Sequence, residues 1–526
     1  VLLYGDQVVE TEILGQITGR ETYGHRFHHP HALNIPQPDA YESLLETEGM
    51  VIPDFLARRE AIRCQVTEAA KACGGEPDLE PALLDEVTAL VEWPIAVTGG
   101  FDLGFLTVPH EALVSTMQVN QKYVPVRDSH GQLLPSFITV SNIDSADPDV
   151  VSRGNERVIR PRFSDAEFFW NQDRKRPLHS RLEALRAVTF EKELGTVHDK
   201  TMRTAILAEY ISSVLGYESH TCRRTAELAK CDLVTQMVYE FPELQGVMGG
   251  YYARHDGEAE EVAMGVEEHY LPRFGGDAIP RTETGTTVAV ADRIDTLVGI
   301  FAVGKHPTGT KDPFALRRAA LAVMRILVER ALPLDLYTLI TQATALLPES
   351  ARIKADPDQL FAFAFDRLQP YYADQGFRSD EFEAVRARRP TQPLDFDRRL
   401  RAVGGFRQLE EAESLEAANK RIRNILHKSS DTVPEQIETG YLVTEAEQAL
   451  AAAVLECSAQ VEPLMSTGDY AAALMRLAPL RAEVDTFFDE VMVMVDDPAL
   501  RRNRLALLQQ LEGLFLKVAD FSRLQH

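Results

Sequence analysis

Thr286 to Val303, TTVAVADRIDTLVGIFAV, decides how this chain is built. Its apolar residues recur with a helical period, and Gly304-Lys305 follow directly. Gly299-Ile-Phe-Ala-Val-Gly304-Lys305 therefore has the glycine spacing of a phosphate-binding loop. That loop needs a strand before its first glycine and a Ser or Thr after the lysine, to hold magnesium. Here a helix precedes and His306 follows, so the motif is rejected and Gly304 reads as a helix C-cap.

Outward from this segment the helical period continues. It predicts helices over Arg181–Phe190, Lys200–Leu215, Thr221–Glu240, Glu258–Tyr270 and Asp312–Arg330, with Pro313 suited to a first turn. Residues 176–330 thus read as all-α. Residues 1–175 read differently. VVETEILGQI, PIAVTGGF, KYVPV and LLPSFITVSNI carry strand signals, and Asp54–Gly74 reads as a helix. This part is α/β, more closely α+β with a mostly antiparallel sheet. Residues 331–395 read as a helical linker, closed by RRPTQPLDF. Residues 396–526 are helical again, with expected breaks at Gly404-Gly405 and Thr467-Gly468.

A chain of 526 residues exceeds one core and suits about three or four domains of roughly 100–200 residues. Hydrophobic residues make up 45% and charged residues 26%, which excludes disordered and fibrous classes. No stretch approaches the roughly 20 apolar residues of a membrane span. The opening VLLYGDQVVE has no basic n-region, so no secretory signal is expected there. It begins at Val1 rather than Met, and a longer N-terminal part is expected to precede it. Cysteines 64, 73, 222, 231 and 457 form no C-x-x-C pair. They are expected to be reduced, cytosolic thiols and not zinc ligands.

The formal charge is -25, which disfavours general binding to polyanions. Any nucleic-acid contact must come from local basic clusters. Arg153 to Arg176 holds 7 basic and 4 acidic residues, and Glu381 to Lys428 holds 11 and 8. In the second, apolar residues from Leu409 through Ala412, Leu415, Ala418, Ile422, Ile425 and Leu426 form one stripe. Lys420, Arg421, Arg423, Asn424 and Lys428 lie largely off it, where they can contact phosphates or unstacked bases. Arg501, Arg502 and Arg504 make a further set. A solvated face with surface ion pairs is the competing reading of each.

The all-α region also spaces His198, Cys231-Asp232, His255 and Asp292 or Asp295 in the order of an HD phosphohydrolase site. Such a site holds cations that activate water. Cys231 stands where the His of the adjacent pair belongs, and a thiolate suits such a hydrolytic site poorly. An inherited fold with lost ligands is the expected state, with no metal bound.

Several longer runs occur together and in order: Tyr23-Gly-His-Arg-Phe27, Val91-Glu-Trp-Pro94, Asn120-Gln-Lys-Tyr123 and Gly154-Asn-Glu-Arg157. RPRFSDAEFFWNQDRK, ending at Lys175, FPELQGVMGGYYA, KDPFALRRAAL and AANKRIRNIL complete the set. In these the chain closely resembles the beta subunit of the bacterial heterotetrameric glycyl-tRNA synthetase. That family's E-x-G-T-E-E-L-P opening is absent here.

The resemblance implies a multidomain protein. Residues 1–175 would be a B3/B4-like module, 176–330 a degenerate HD-like domain, 331–395 the linker and 396–526 a helical anticodon-binding domain. It implies a tRNA-binding subunit without a catalytic residue of its own. ATP and Mg would be handled by an alpha subunit in an alpha2beta2 assembly, in the cytoplasm, acting on tRNA(Gly). The residues agree: neither H-I-G-H nor K-M-S-K-S occurs, and His29-Pro30-His31 has the wrong companions. The tRNA-binding residues implied are Lys420, Arg421, Arg423, Asn424, Lys428, Arg501, Arg504, Arg160, Arg162, Arg174 and Lys175. A phosphohydrolase using His198, Asp232, His255 and Asp292, and a purely structural scaffold, are the two alternatives.

Overall fold

The computed structural model describes residues 1–429 and 431–525, which divide into two compact units. The first comprises Val1–Ser180 and Asp232–His255; the second comprises Arg181–Cys231 and Asp256 onward. Residues expected in one HD-like domain therefore divide between both units.

In the first unit a four-stranded sheet has the spatial order Glu76–Pro77, Val124–Arg127, Leu133–Ser141, Ile95–Gly100. Every pairing is antiparallel. Ile138 joins Val124 and Val126 under two helices, Phe55–Ala72 and Pro81–Leu90, which contribute Ile62, Val66, Leu84 and Val87. Asp54 caps the first of these, its Oδ1 accepting from the Ala57 amide at 2.6 Å. Phe137, next to Ile138 and so on the opposite face, stacks on Tyr123 with centroids 4.7 Å apart. Its register partner must be Gly99, because a Cβ there would lie 2.3 Å from the Phe137 ring.

The 26-residue helix Pro148–Asp173 lies outside the helices predicted from the sequence. It covers the sheet's edge strand: Ser152 Oγ donates to Thr98 O at 2.8 Å and Glu156 Oε1 accepts from the Gly100 amide at 2.8 Å. Phe163 packs on Phe101 from the same helix. Pro161 sits inside it on an exposed position, where water can satisfy the carbonyl that proline leaves unpaired.

The second unit is helical around Glu283–Ala302, whose Val288, Ala289, Val290 and Ala291 are fully buried. Small and β-branched side chains let neighbouring helices approach on all sides. Thr196 starts an earlier helix of this unit, Val197–Leu215, with a capping box closed by Asp199. Gly304 lies just beyond the central helix in the left-handed conformation, φ +73, as a C-cap glycine does.

Four helix expectations are corrected. Arg181–Phe190 is not a helix: a 3-10 turn over Glu183–Ala187 leads into strand Thr189–Glu191, paired with Gly195–Thr196. Its β-branched and aromatic residues favour the ladder. Thr221–Glu240 breaks after Leu228, and Thr235 caps a new helix, Gln236–Glu240. Asp312–Arg330 begins only at Leu316, because the Asp312 carboxylate accepts from the Leu316 and Arg317 amides and leaves Pro313 outside. Gly404-Gly405 does not break the chain but lies within helix Pro393–Phe406.

The 331–395 stretch is not a detached connector. Its Leu339, Phe361, Phe365 and Phe382 belong to the same core cluster as Val323 and Phe396. Beyond it come helices Ala412–Lys428, Glu445–Thr467, Tyr470–Leu477, Arg481–Glu490 and Pro498–Leu516. Among the described residues no helix is long and apolar enough to cross a membrane.

Candidate nucleic-acid interface

Helix Ala412–Lys428 presents the basic cluster. Its stripe is inward, with Ala412, Leu415, Ala418 and Ile422 buried and Ile425 and Leu426 partly so. The positions off the stripe separate by what each cation already holds. Lys420, Asn424 and Lys428 are exposed, and Lys420 lines a cavity of about 710 Å³ with Arg378, Asp380, Glu383 and Arg523. Arg421 is exposed too, but its guanidinium lies 4.2 Å from the centre of the Phe488 ring, which fixes its direction. Arg423 is half-buried, ion-paired with Asp520 and 3.2 Å from Ser522 Oγ. It ties the helix to the C-terminal turn.

The second arginine set is corrected more sharply. Arg504 is only 6% exposed; its Nε lies 2.5 Å from Glu447 Oε1 and its Nη1 2.7 Å from Met492 O. It is a core ion pair, which no RNA can reach. Arg501 makes a two-pronged pair with Asp431, at 2.7 and 3.2 Å, and donates to Val495 O. Arg502, not these two, is the exposed member, donating from Nε to Pro498 O at 3.1 Å.

In the first unit Arg160 and Arg162 are exposed on helix Pro148–Asp173, and Lys175 is exposed just beyond it. Arg174 lies over the Trp170 ring at 4.6 Å and donates to Asn171 Oδ1, and Lys175 donates to Gln172 Oε1 at 2.9 Å. Arg153 and Arg157 share one helix face with Arg160 and are also exposed, extending the basic stripe beyond the residues expected.

The HD-like positions carry no comparable chemistry. Asp232 Oδ2 accepts from the Gly246 and Gly249 amides at 2.6 and 3.1 Å, which anchors its own turn. His255 ends helix Val247–His255 and is exposed. His198 is buried, 3.5 Å from Glu183 and 3.8 Å from Asp199. Asp292 is held by two ammonium groups, Lys200 at 2.9 Å and Lys230 at 3.4 Å. Burial works against its charge, yet Lys200 and Lys230 override this and keep its carboxyl far below the usual carboxylate range. Beside it, Lys200 and Arg203 pair with Asp295 at 3.4 and 2.7 Å. Cys231 is buried, its Sγ 3.3 Å from Glu227 O. These residues do not fit a divalent cation, because fixed lysines already supply the positive charge. The sequence reading missed both lysines, although Lys200 stands two places after His198 and Lys230 just before Cys231.

Residues 1–387 match the family model for the glycyl-tRNA synthetase beta subunit, and residues 415–518 match that of the DALR anticodon binding domain. The chain is 52% identical over 525 residues to the glycine–tRNA ligase beta subunit of Pseudomonas aeruginosa, spanning all of this chain and 76% of that protein. The corresponding proteins of Marinobacter nauticus and Vibrio parahaemolyticus are 51% and 50% identical, with the same coverage.

Proposed function

Because the chain belongs to the glycyl-tRNA synthetase beta subunit family, we propose that it is the tRNA-holding, non-adenylating subunit of glycine–tRNA ligase. It carries an anticodon-binding domain. The observation that carries the reading is the exposed set Lys420, Arg421, Asn424 and Lys428, on one helix inside that domain, in a chain of formal charge -25. Among the described residues no ion pair to a carboxylate is formed by Lys420, Arg421 or Lys428, and against so acidic a background such exposed cations favour phosphate contacts.

In this reading the partner is an alpha subunit that binds ATP and Mg and forms glycyl-adenylate, in an alpha2beta2 enzyme of the cytoplasm. This chain delivers tRNA(Gly). The N-terminal sheet unit serves as the B3/B4-like module. The helices around Asp292 are the degenerate HD-like domain, residues 331–395 pack into the same core, and 396–526 grip the anticodon arm. Arg153, Arg157 and Arg160 supply a second phosphate-binding stripe, with Arg162 exposed on another face of the same helix.

Glycylation of tRNA by the alpha subunit, with and without this chain, tests the proposal. Full charging is expected only with both, and ATP–pyrophosphate exchange is expected from alpha alone and never from this chain alone. Exchange by this chain free of alpha would overturn it, as would charging that does not need it.

A further inference from the structure

Beside the basic helix the anticodon-binding domain contains a groove of another character. It lies between the turn at Thr439–Tyr441 and helices Glu445–Thr467 and Pro498–Leu516, with a volume of about 580 Å³. Gln436, Ile437, Leu442, Gln448, Leu455 and Gln510 line it, with small residues Ala451 and Ala452 at its wall. Among the described residues no charged side chain lines it, although 26% of the chain is charged. Leu455 is 74% exposed, apolar surface without a cover.

The amides are oriented. Gln448 donates from Nε2 to Leu442 O at 2.9 Å, and Gln510 donates from Nε2 to Glu435 O at 3.1 Å. Among the described residues neither carbonyl oxygen has a protein donor, so two fixed acceptors border an apolar slot. An adjoining groove of about 320 Å³ carries Tyr441, Arg502 and Glu438. Beyond its single bond to Pro498 O, the Arg502 guanidinium has donors to spare.

We propose that this groove holds one unstacked nucleobase of the tRNA loop and prefers cytosine, adenine or guanine to uracil. The inference rests on the reading that this domain binds tRNA. Apolar walls take the faces of a base, and amide oxygens accept from an exocyclic amino group. Cytosine, adenine and guanine each have such a group, whereas uracil puts a carbonyl oxygen in its place, acceptor against acceptor. Arg502 meets the adjoining phosphate. Glu438 in the same groove limits this to one contact, so recognition falls mainly on the base. A partner protein's apolar side chain would fill the walls but leave both amide oxygens unsatisfied, which disfavours it.

The test uses the full chain and intact tRNA transcripts in which each anticodon-loop position in turn is changed to uracil. With the unaltered protein, one position is expected to weaken binding about threefold to tenfold, the range of one or two lost hydrogen bonds. Gln448→Leu should erase that difference. Ala452→Trp, at an exposed position, should weaken binding of every transcript and lower the salt slope by no more than the single Arg502 contact, about 0.7–0.9. Unchanged discrimination and affinity in both variants, with normal binding by the parent, would overturn the pocket alone. Absence of salt-dependent tRNA binding by the parent would overturn the proposed function as well. If Ala452→Trp blocked association with the alpha subunit and left tRNA affinity intact, the groove would belong to a protein partner and the inference would fail.

Discussion

Lys230 places its ammonium 2.8 Å from Nε2 of His269 in the interior of the second unit. The other ring nitrogen, Nδ1, lies 2.6 Å from Val266 O. The ring is therefore neutral, donating from Nδ1 and accepting a hydrogen bond from the Lys230 ammonium at Nε2. Burial first, then Lys230, pushes the imidazolium well below its ordinary range.

This relationship sets a pH dependence. The unfolded His269 titrates near the ordinary histidine value of about 6.5, whereas the folded one stays neutral well below it. Its contribution is thus complete above about pH 6.5 and is lost as the pH falls further, because the unfolded chain then binds the extra proton. The stability difference between the parent and His269→Gln should shrink by up to about 1.4 kcal/mol per pH unit below that point. Urea unfolding between pH 7.5 and 5 would measure it; a constant difference would contradict the neutral ring.

Asp292 neutralises Lys200 and Lys230 in the interior of the second unit. Asp292→Asn leaves two buried ammonium groups with less charge compensation and should cost about 3–5 kcal/mol. Adding Lys200→Met should recover part of that loss. Thermal melting of the single and double variants decides it, and an equal loss in both would show that the pair is not coupled.

Arg504 and Lys428 should behave oppositely. Arg504→Met exposes the buried Glu447 charge to an apolar partner and should destabilise the C-terminal domain by about 3–5 kcal/mol. Removing Lys420 and Lys428, both exposed, should leave melting within about 0.5 kcal/mol. In tRNA titrations over a salt series, the lysine pair should flatten the slope by about 0.7–0.9 per lost contact. No change in slope would return this helix face to plain solvated surface.

Arg160 and Arg162 provide an independent check on the N-terminal unit. Both are exposed, so Arg160→Gln with Arg162→Gln should leave folding intact. If this helix contacts tRNA, affinity falls almost uniformly across tRNA sequences and the salt slope decreases. Unaltered binding by the folded double variant would remove this helix from the interface.

Arg423→Ala differs again, because its cation is committed to Asp520. Asp520 is buried, and burial favours its neutral form until Ser522, Arg523 and Arg423 pull its carboxyl below the usual range. Loss of Arg423 should lower the melting temperature more than it changes the salt slope. The reverse pattern would mark Arg423 as an RNA contact.

Much of this was legible in the residues because it is local. Asp54 and Thr444 cap the helices that follow them, Gly468 ends one in the left-handed conformation, and the Leu415–Ile422 stripe fixes which side of its helix is buried. Strands Ile95–Gly100, Val124–Arg127 and Leu133–Ser141 of the N-terminal sheet were read from strand signals in the sequence, whereas the two-residue edge strand Glu76–Pro77 was not. The exceptions are local too: Thr189–Glu191 and Asp312 show that ladder pairing and a side-chain cap can displace a helical period.

The sequence by itself determined the family, the helical character of most of the chain, and the helix on which the cations of the anticodon-binding domain stand. Only the tertiary structure decided which of those cations are free. Arg504 meets Glu447 across 57 residues, Arg423 meets Ser522 across 99, and Lys200 reaches Asp292 across 92. Capping and periodicity depend on neighbours within a turn or two, and can be read in order along the chain. Whether a charge is spent or available depends on which distant carboxylate folding brings within about 4 Å, and on how much water it then excludes.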